Sequence, residues 1–112
     1  MTESLRIVVI TVAAGGLACA LSSGGVVRRG AACVNLSPGV RSIYRYQGKV
    51  HDDAEWLLVV KTSLDRAYEL RRTVEELHPY DVPEIVALSP LEISPAYARW
   101  WGEQLKDADP TG

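Results

Sequence analysis

The chain has little of what most catalytic and metal centres are built from. Its 112 residues hold two cysteines and two histidines. Cys19 and Cys33 are too few for a disulfide-stapled scaffold and lack CxxC spacing, so they read as free thiols in a reducing compartment. No Ser/His/Asp or Cys/His constellation stands in a convincing context, and no enzymatic activity is expected. A Gly15-Gly16 pair follows a strand and opens a helix, but neither GxxxxGKS/T nor GxGxxG is present, so a phosphate loop is poorly supported. Lys and Arg number 12 against 14 Asp and Glu, a formal charge of −2 with both signs interspersed. Without a basic stripe, neither nucleic acid nor an anionic membrane is an expected partner. No repeat or low-complexity linker divides the sequence, and its length fits one domain over residues 1–112.

The longest apolar run, Ile7 to Leu21, is short for a membrane span. It follows Arg6 and carries Leu17-Ala18-Cys19, which gives it some likeness to a secretory leader. Glu3 weakens the positive charge ahead of it, and the rest of the fold needs this segment as a strand. A cytoplasmic protein is the expectation.

What is present is strand and helix patterning. Leu5 to Val12 is rich in β-branched residues and reads as a buried strand. Ala14 to Arg29 places Ala14, Leu17, Ala18, Leu21 and Gly25 on one helical face. Gly15, Gly16, Gly24 and Gly25 each cost about 1 kcal/mol relative to alanine there, so this helix needs tertiary packing. Ala31 to Tyr46 is extended, with a bend or bulge at Ser37-Pro38-Gly39. Gln47-Gly48 turns the chain into a third strand, Lys49 to Thr62. Ser63 or Asp65 can cap a helix that runs to Leu77 and stops at His78-Pro79. Glu84 to Leu88 is a fourth strand, and Ser94-Pro95 opens a last helix through Leu105.

The order β-α-β-β-α-β plus a terminal helix is an α+β, ferredoxin-like split βαβ. Its strands are apolar on both faces. Trp56, Leu58 and Val60 alternate with Leu57 and Val59, Val8 and Ile10 with Ile7 and Val9, and Ile85 and Ala87 with Val86 and Leu88. Two helices cover only one sheet face, and the terminal helix can hide only part of the other. A second copy of the chain is the expected cover.

Longer motifs carry a resemblance. Ala31-Ala32-Cys33-Val34-Asn35, Pro38-Gly39-Val40-Arg41-Ser42-Ile43-Tyr44-Arg45-Tyr46 and Gly48-Lys49-Val50 resemble the central hairpin of the CutA divalent-cation-tolerance family. His78-Pro79-Tyr80-Asp81-Val82-Pro83-Glu84-Ile85 is similar to its "HPYEVPEI" segment, and Pro95-Ala96-Tyr97 with Trp100 to its closing "PAYLAW". The resemblance implies a homotrimer of ferredoxin-like subunits linked to tolerance of divalent cations, copper especially. A catalytic reaction is not part of what it implies. At residues 12–30 the chain departs from the family: Val12-Ala13-Ala14-Gly15-Gly16 stands where members carry "TCPDEE", and the following helix lacks acidic residues.

Three residues are candidate metal ligands. His78 offers an imidazole at a helix end before a proline turn, where it can be exposed. In members with a second histidine just before it, the pair has been proposed to bind copper with a first-strand cysteine; here those positions are Leu77, Ile10 and Val12. A structural histidine bonded at a helix C-terminus is the reading placed ahead of a ligand role. Cys33 offers a soft thiolate suited to copper, against the commoner fate of a core cysteine. Glu84, if buried, needs Arg41, Lys61 or Tyr80 as a partner, in a cleft between subunits or as a plain salt bridge. His51-Asp52-Asp53 with Glu55 reads as a solvated strand edge rather than a weak cation site. The competing function is a trimeric small-ligand or nucleotide sensor of the same fold.

Overall fold

The computed structural model describes residues 4–106. In chain order the elements are β1 (Leu5–Val12), α1 (Gly15–Val27), β2 (Cys33–Tyr46), β3 (Lys49–Ser63), α2 (Leu64–Leu77), β4 (Ile85–Leu88) and α3 (Pro95–Leu105). The strands form one antiparallel sheet in the order β2-β3-β1-β4. This is the split-βαβ arrangement read from the sequence, with α3 added at the end.

Register puts the alternating residues where the pattern asks for them. Val8, Ile10 and Val12 of β1 stand opposite Val60, Leu58 and Trp56 of β3. With Ala18 of α1 and Ala67 and Val74 of α2, the first five of these form the main core, against which Trp56 packs. The opposite face carries Ile7, Val9, Leu57 and Val59. There α3 makes a second, smaller core: Trp101 and Leu105 pack with Leu5 and Ala32. The Trp101 indole N–H also donates to the Thr62 carbonyl at 3.0 Å, which satisfies both buried polar groups. Among the described residues nothing beyond α3 covers this face, and Val86 and Leu88 are 46% and 48% exposed.

Helix α1 forms despite its composition. It has no acidic residue in its first turn, no basic residue in its last and no side-chain cap on Ala14. Ala18 and Ser22 are buried against the sheet, and the Ser22 hydroxyl donates back to the Ala18 carbonyl at 2.8 Å. The helix stops at Val27, short of the expected Arg29, because Arg29 turns to a positive φ of 58°. Gly30 and Ala31 then bond back to the Gly25 carbonyl, so β2 begins at Cys33 rather than Ala31. At α2, Ser63 has the extended backbone of an N-cap, but its hydroxyl donates to the Asp65 carboxylate instead of capping the helix.

β2 and β3 are much longer than β1, which pairs only with residues 56–63 of β3. A bulge falls between Ser37 and Val40, with Gly39 at a φ of +72°. Residues 40–55 continue as a two-stranded arm closed by Gln47 and Gly48, both at positive φ, as a tight two-residue hairpin turn requires.

The glycines of α1 differ in what they do. A Cβ on Gly15 meets the Trp56 indole at 3.0 Å, whereas nothing lies within 4 Å of one on Gly16 or Gly24. We expect Gly16→Ala and Gly24→Ala each to stabilise the protein by about 0.5–1 kcal/mol, and Gly15→Ala to destabilise it. Denaturant unfolding of the three variants checks that order.

Candidate functional site

His78 follows the last turn of α2, where its backbone N–H bonds to the Val74 carbonyl at 2.7 Å. The side chain is buried, so the exposure that a helix end allows is not realised. It turns inward to the end of β1, where Nε2 lies 2.8 Å from the Thr11 carbonyl oxygen. That oxygen can only accept, so Nε2 carries the hydrogen. Nδ1 in turn accepts the Tyr80 backbone N–H at 3.1 Å. Both ring nitrogens are occupied within the subunit, so the imidazole ties α2 and the following loop to β1.

Cys33 is half-buried at the start of β2, opposite Lys61, which itself stands opposite Ile7. Thr11, the partner of His78, lies four residues further along β1, about 13 Å at strand rise. Glu84 is exposed just before β4, whose Ile85 pairs with Ile10. His78 and Glu84 therefore belong to one end of the sheet and Cys33 to the other. Among the described residues, no group of three or more His, Cys, Asp or Glu side chains is arranged to hold a metal ion.

The partners foreseen for Glu84 are engaged elsewhere. Arg41 forms an ion pair with Asp52 across the arm. Lys61 donates to the Asn35 amide oxygen and sits 5.8 Å from the centre of the Tyr97 ring. Tyr80 lies beside Glu55, whose negative charge acts on its hydroxyl.

Glu55 is the functional candidate that the sequence reading missed. In the sequence it stands with the acidic run of the arm, yet it is only 5% exposed. Its Oε2 is buried and has no hydrogen-bond partner among the described residues. The available signal was phase: Glu55 shares a face with Leu57 and Val59, two and four residues on. It lines a cleft of about 720 Å³ bounded by the arm, the end of β1 and the loop after α2, with Tyr44, Tyr46, Tyr80, Asp81 and Glu84 among its walls. Burial first, then the charge and hydrogen bond of Glu55, push the Tyr80 hydroxyl above the ordinary phenol range. Tyr44 donates to Asp53 at 2.5 Å, and chiefly this bond pushes its hydroxyl up to about 12.

The sequence profile of the CutA1 divalent ion tolerance protein family matches residues 6–104. This chain belongs to that family. The match runs through the glycine-rich α1, so the unusual composition of residues 12–30 lies within a CutA1 fold. The divalent-cation tolerance protein CutA of Thermus thermophilus is 46% identical over 98 residues, which cover 88% of this chain and 95% of that protein. Its solved structure superposes with a TM-score of 0.85 at 44% identity, covering 91% of this chain and 99% of the other. CutA1 from Oryza sativa gives a TM-score of 0.86 at 33% identity, covering 96% and 100%. Several relatives are longer: the chain spans 55% of the Xenopus laevis CutA homolog and 42% of mouse CutA.

Two outcomes follow from this geometry. His78→Ala strands the Thr11 carbonyl and the Tyr80 amide and should cost about 2–4 kcal/mol of stability, read by denaturant unfolding. A raised phenol value means that the stability from these hydroxyl contacts is complete below the ordinary value near 10. It is lost as pH rises through the folded value. Absorbance titration should show Tyr44 and Tyr80 ionising above the ordinary phenol value, and Tyr44→Phe should remove the step near 12.

Proposed function

We propose that this chain is a self-associating divalent-cation tolerance protein that acts by binding and not by catalysis. The observation that carries the reading is membership of the CutA1 family across residues 6–104. Self-association rests on the sheet face that α3 leaves bare, with Val86 and Leu88 nearly half exposed beside Val9 and Val59. Burying such a face against copies of itself is the ordinary remedy for a two-faced sheet, and the trimer implied by the family resemblance is the assembly we infer. We place it in the cytoplasm, noting that relatives include a chloroplastic protein of Arabidopsis thaliana and a periplasmic one of Archaeoglobus fulgidus. No described helix is long and apolar enough to cross a membrane.

For the ion, copper suits the thiol of Cys33 and the imidazole of His78, with Glu84 as a third, harder ligand. Because these residues stand apart in one chain, a shared site has to join different subunits, and His78 has to release Thr11 or Tyr80 to take part. A second reading, a small-ligand sensor, is favoured by the CutA of Synechococcus elongatus, solved in complex with a Bis-Tris molecule. That structure is 30% identical, with a TM-score of 0.82, and the match covers 92% of this chain and 95% of that one.

Sedimentation equilibrium should give three times the 12.3 kDa of the monomer, and Val86→Glu should lower the assembly state without unfolding the subunit. A wild-type monomer at micromolar concentration overturns the trimer. Calorimetric titration with copper and zinc tests the ion. Binding weakened by His78→Ala, Cys33→Ser and Glu84→Gln supports the shared site, and binding that survives all three removes these residues from it.

A further inference from the structure

We infer that the cleft built around Glu55 is a binding site for a small organic cation, a protonated amine. This deepens the small-ligand reading and names its site and ligand class.

The first observation is the orphaned carboxylate. Glu55 is 5% exposed, and its Oε2 is shielded without a hydrogen-bond partner among the described residues. A buried charged oxygen is costly unless something donates to it. The Tyr80 hydroxyl is a neighbouring group able to donate to one of the Glu55 oxygens. The rest of the carboxylate awaits a donor, and an ammonium group supplies both N–H bonds and charge.

The second observation is the sign and texture of the walls. Among the described residues no Lys, Arg or His lines the cleft, while Asp81 and Glu84 add two carboxylates to that of Glu55. An anionic ligand such as a nucleotide or a carboxylate finds no compensating charge there. Tyr44, Tyr46 and Tyr80 bring aromatic surface, which attracts cations through the ring quadrupole. Thr11 and Ser42 also line the cleft.

The third observation separates an organic cation from a metal ion. The acidic side chains of the cleft do not gather as a set of three or more able to hold a metal. A volume of about 720 Å³ is likewise far larger than an ion needs and suits a molecule of several heavy atoms. The carboxylates spread around the walls match a cation with more than one donor group along its length.

The test is thermal shift and calorimetry in phosphate buffer free of amines, with putrescine, spermidine and choline as probes and succinate and ATP as controls. Amines should raise the melting temperature and the anions should not. Glu55→Gln should weaken amine binding about tenfold or more. Glu84→Gln and Asp81→Asn alter exposed residues, so they keep the test decisive if Glu55→Gln does not fold, and each should weaken binding about two- to threefold. The proposal is overturned if the wild type ignores all three amines, if the anions bind as tightly, or if the carboxylate variants bind amines as well as the wild type does. It is also overturned if Glu55→Gln breaks up the assembly while the wild type binds no amine, which assigns the carboxylate to a subunit contact. A trimer that ignores amines leaves the cation-tolerance role standing. Amine binding by a protein without a role in metal tolerance leaves this site standing.

Discussion

The antiparallel pairing of β1 with β3 is the constraint on which the rest of the subunit depends. Eight residues of β1 meet residues 56–63 in unbroken register. A shift of one residue sends every side chain of the strand to the wrong face. In the observed register Val8, Ile10 and Val12 meet the helices, and Ile7 and Val9 meet α3 and the bare surface beside it. Both helices on one face, and Trp101 on the other, are placed by this one ladder. Thr11, at its far end, is held in position to receive His78.

The two polar features of that end of the sheet answer the same demand in opposite ways. His78 is buried with both ring nitrogens satisfied, so it behaves as a fastening between α2, the loop and β1. Glu55 is buried with one oxygen unsatisfied. A folded protein keeps such a group when something else, a ligand or another chain, completes its shell. The histidine offers a ligand in the sequence, but the structural role favoured for it there is the one it fills within the subunit. The glutamate looks like surface and holds the unmet valence of the cleft.

The strands were legible because alternation is a local signal, and the hairpin because Gln47-Gly48 and Pro38-Gly39 carry their backbone demands in the residues themselves. Helix α1 was legible only as a periodicity, since its caps and composition argue against it and its support comes from the sheet below. The site was less visible. His78 is buried through an oxygen 67 residues away in the chain, which no local pattern reports. Glu55 was obscured by Asp52 and Asp53, whose partners Arg41 and Tyr44 lie on the facing strand of the arm. Its phase with Leu57 was the one clue, and a run of neighbouring charges outweighed it.

The arm has a consequence for how the chain comes together in time. Its turn joins strands that are neighbours in sequence, so residues 40–55 can zip from Gln47-Gly48 outward in roughly microseconds. Strand β1 cannot pair until the whole of α1, β2 and β3 has been made, because its partner lies at the far end of β3. The hairpin therefore serves as the template and β1, though first in the chain, docks late. An early collapsed chain presents β3 with an open edge where β1 belongs, and that edge, flanked by Leu57 and Val59, is where this protein is most exposed to misassembly during synthesis.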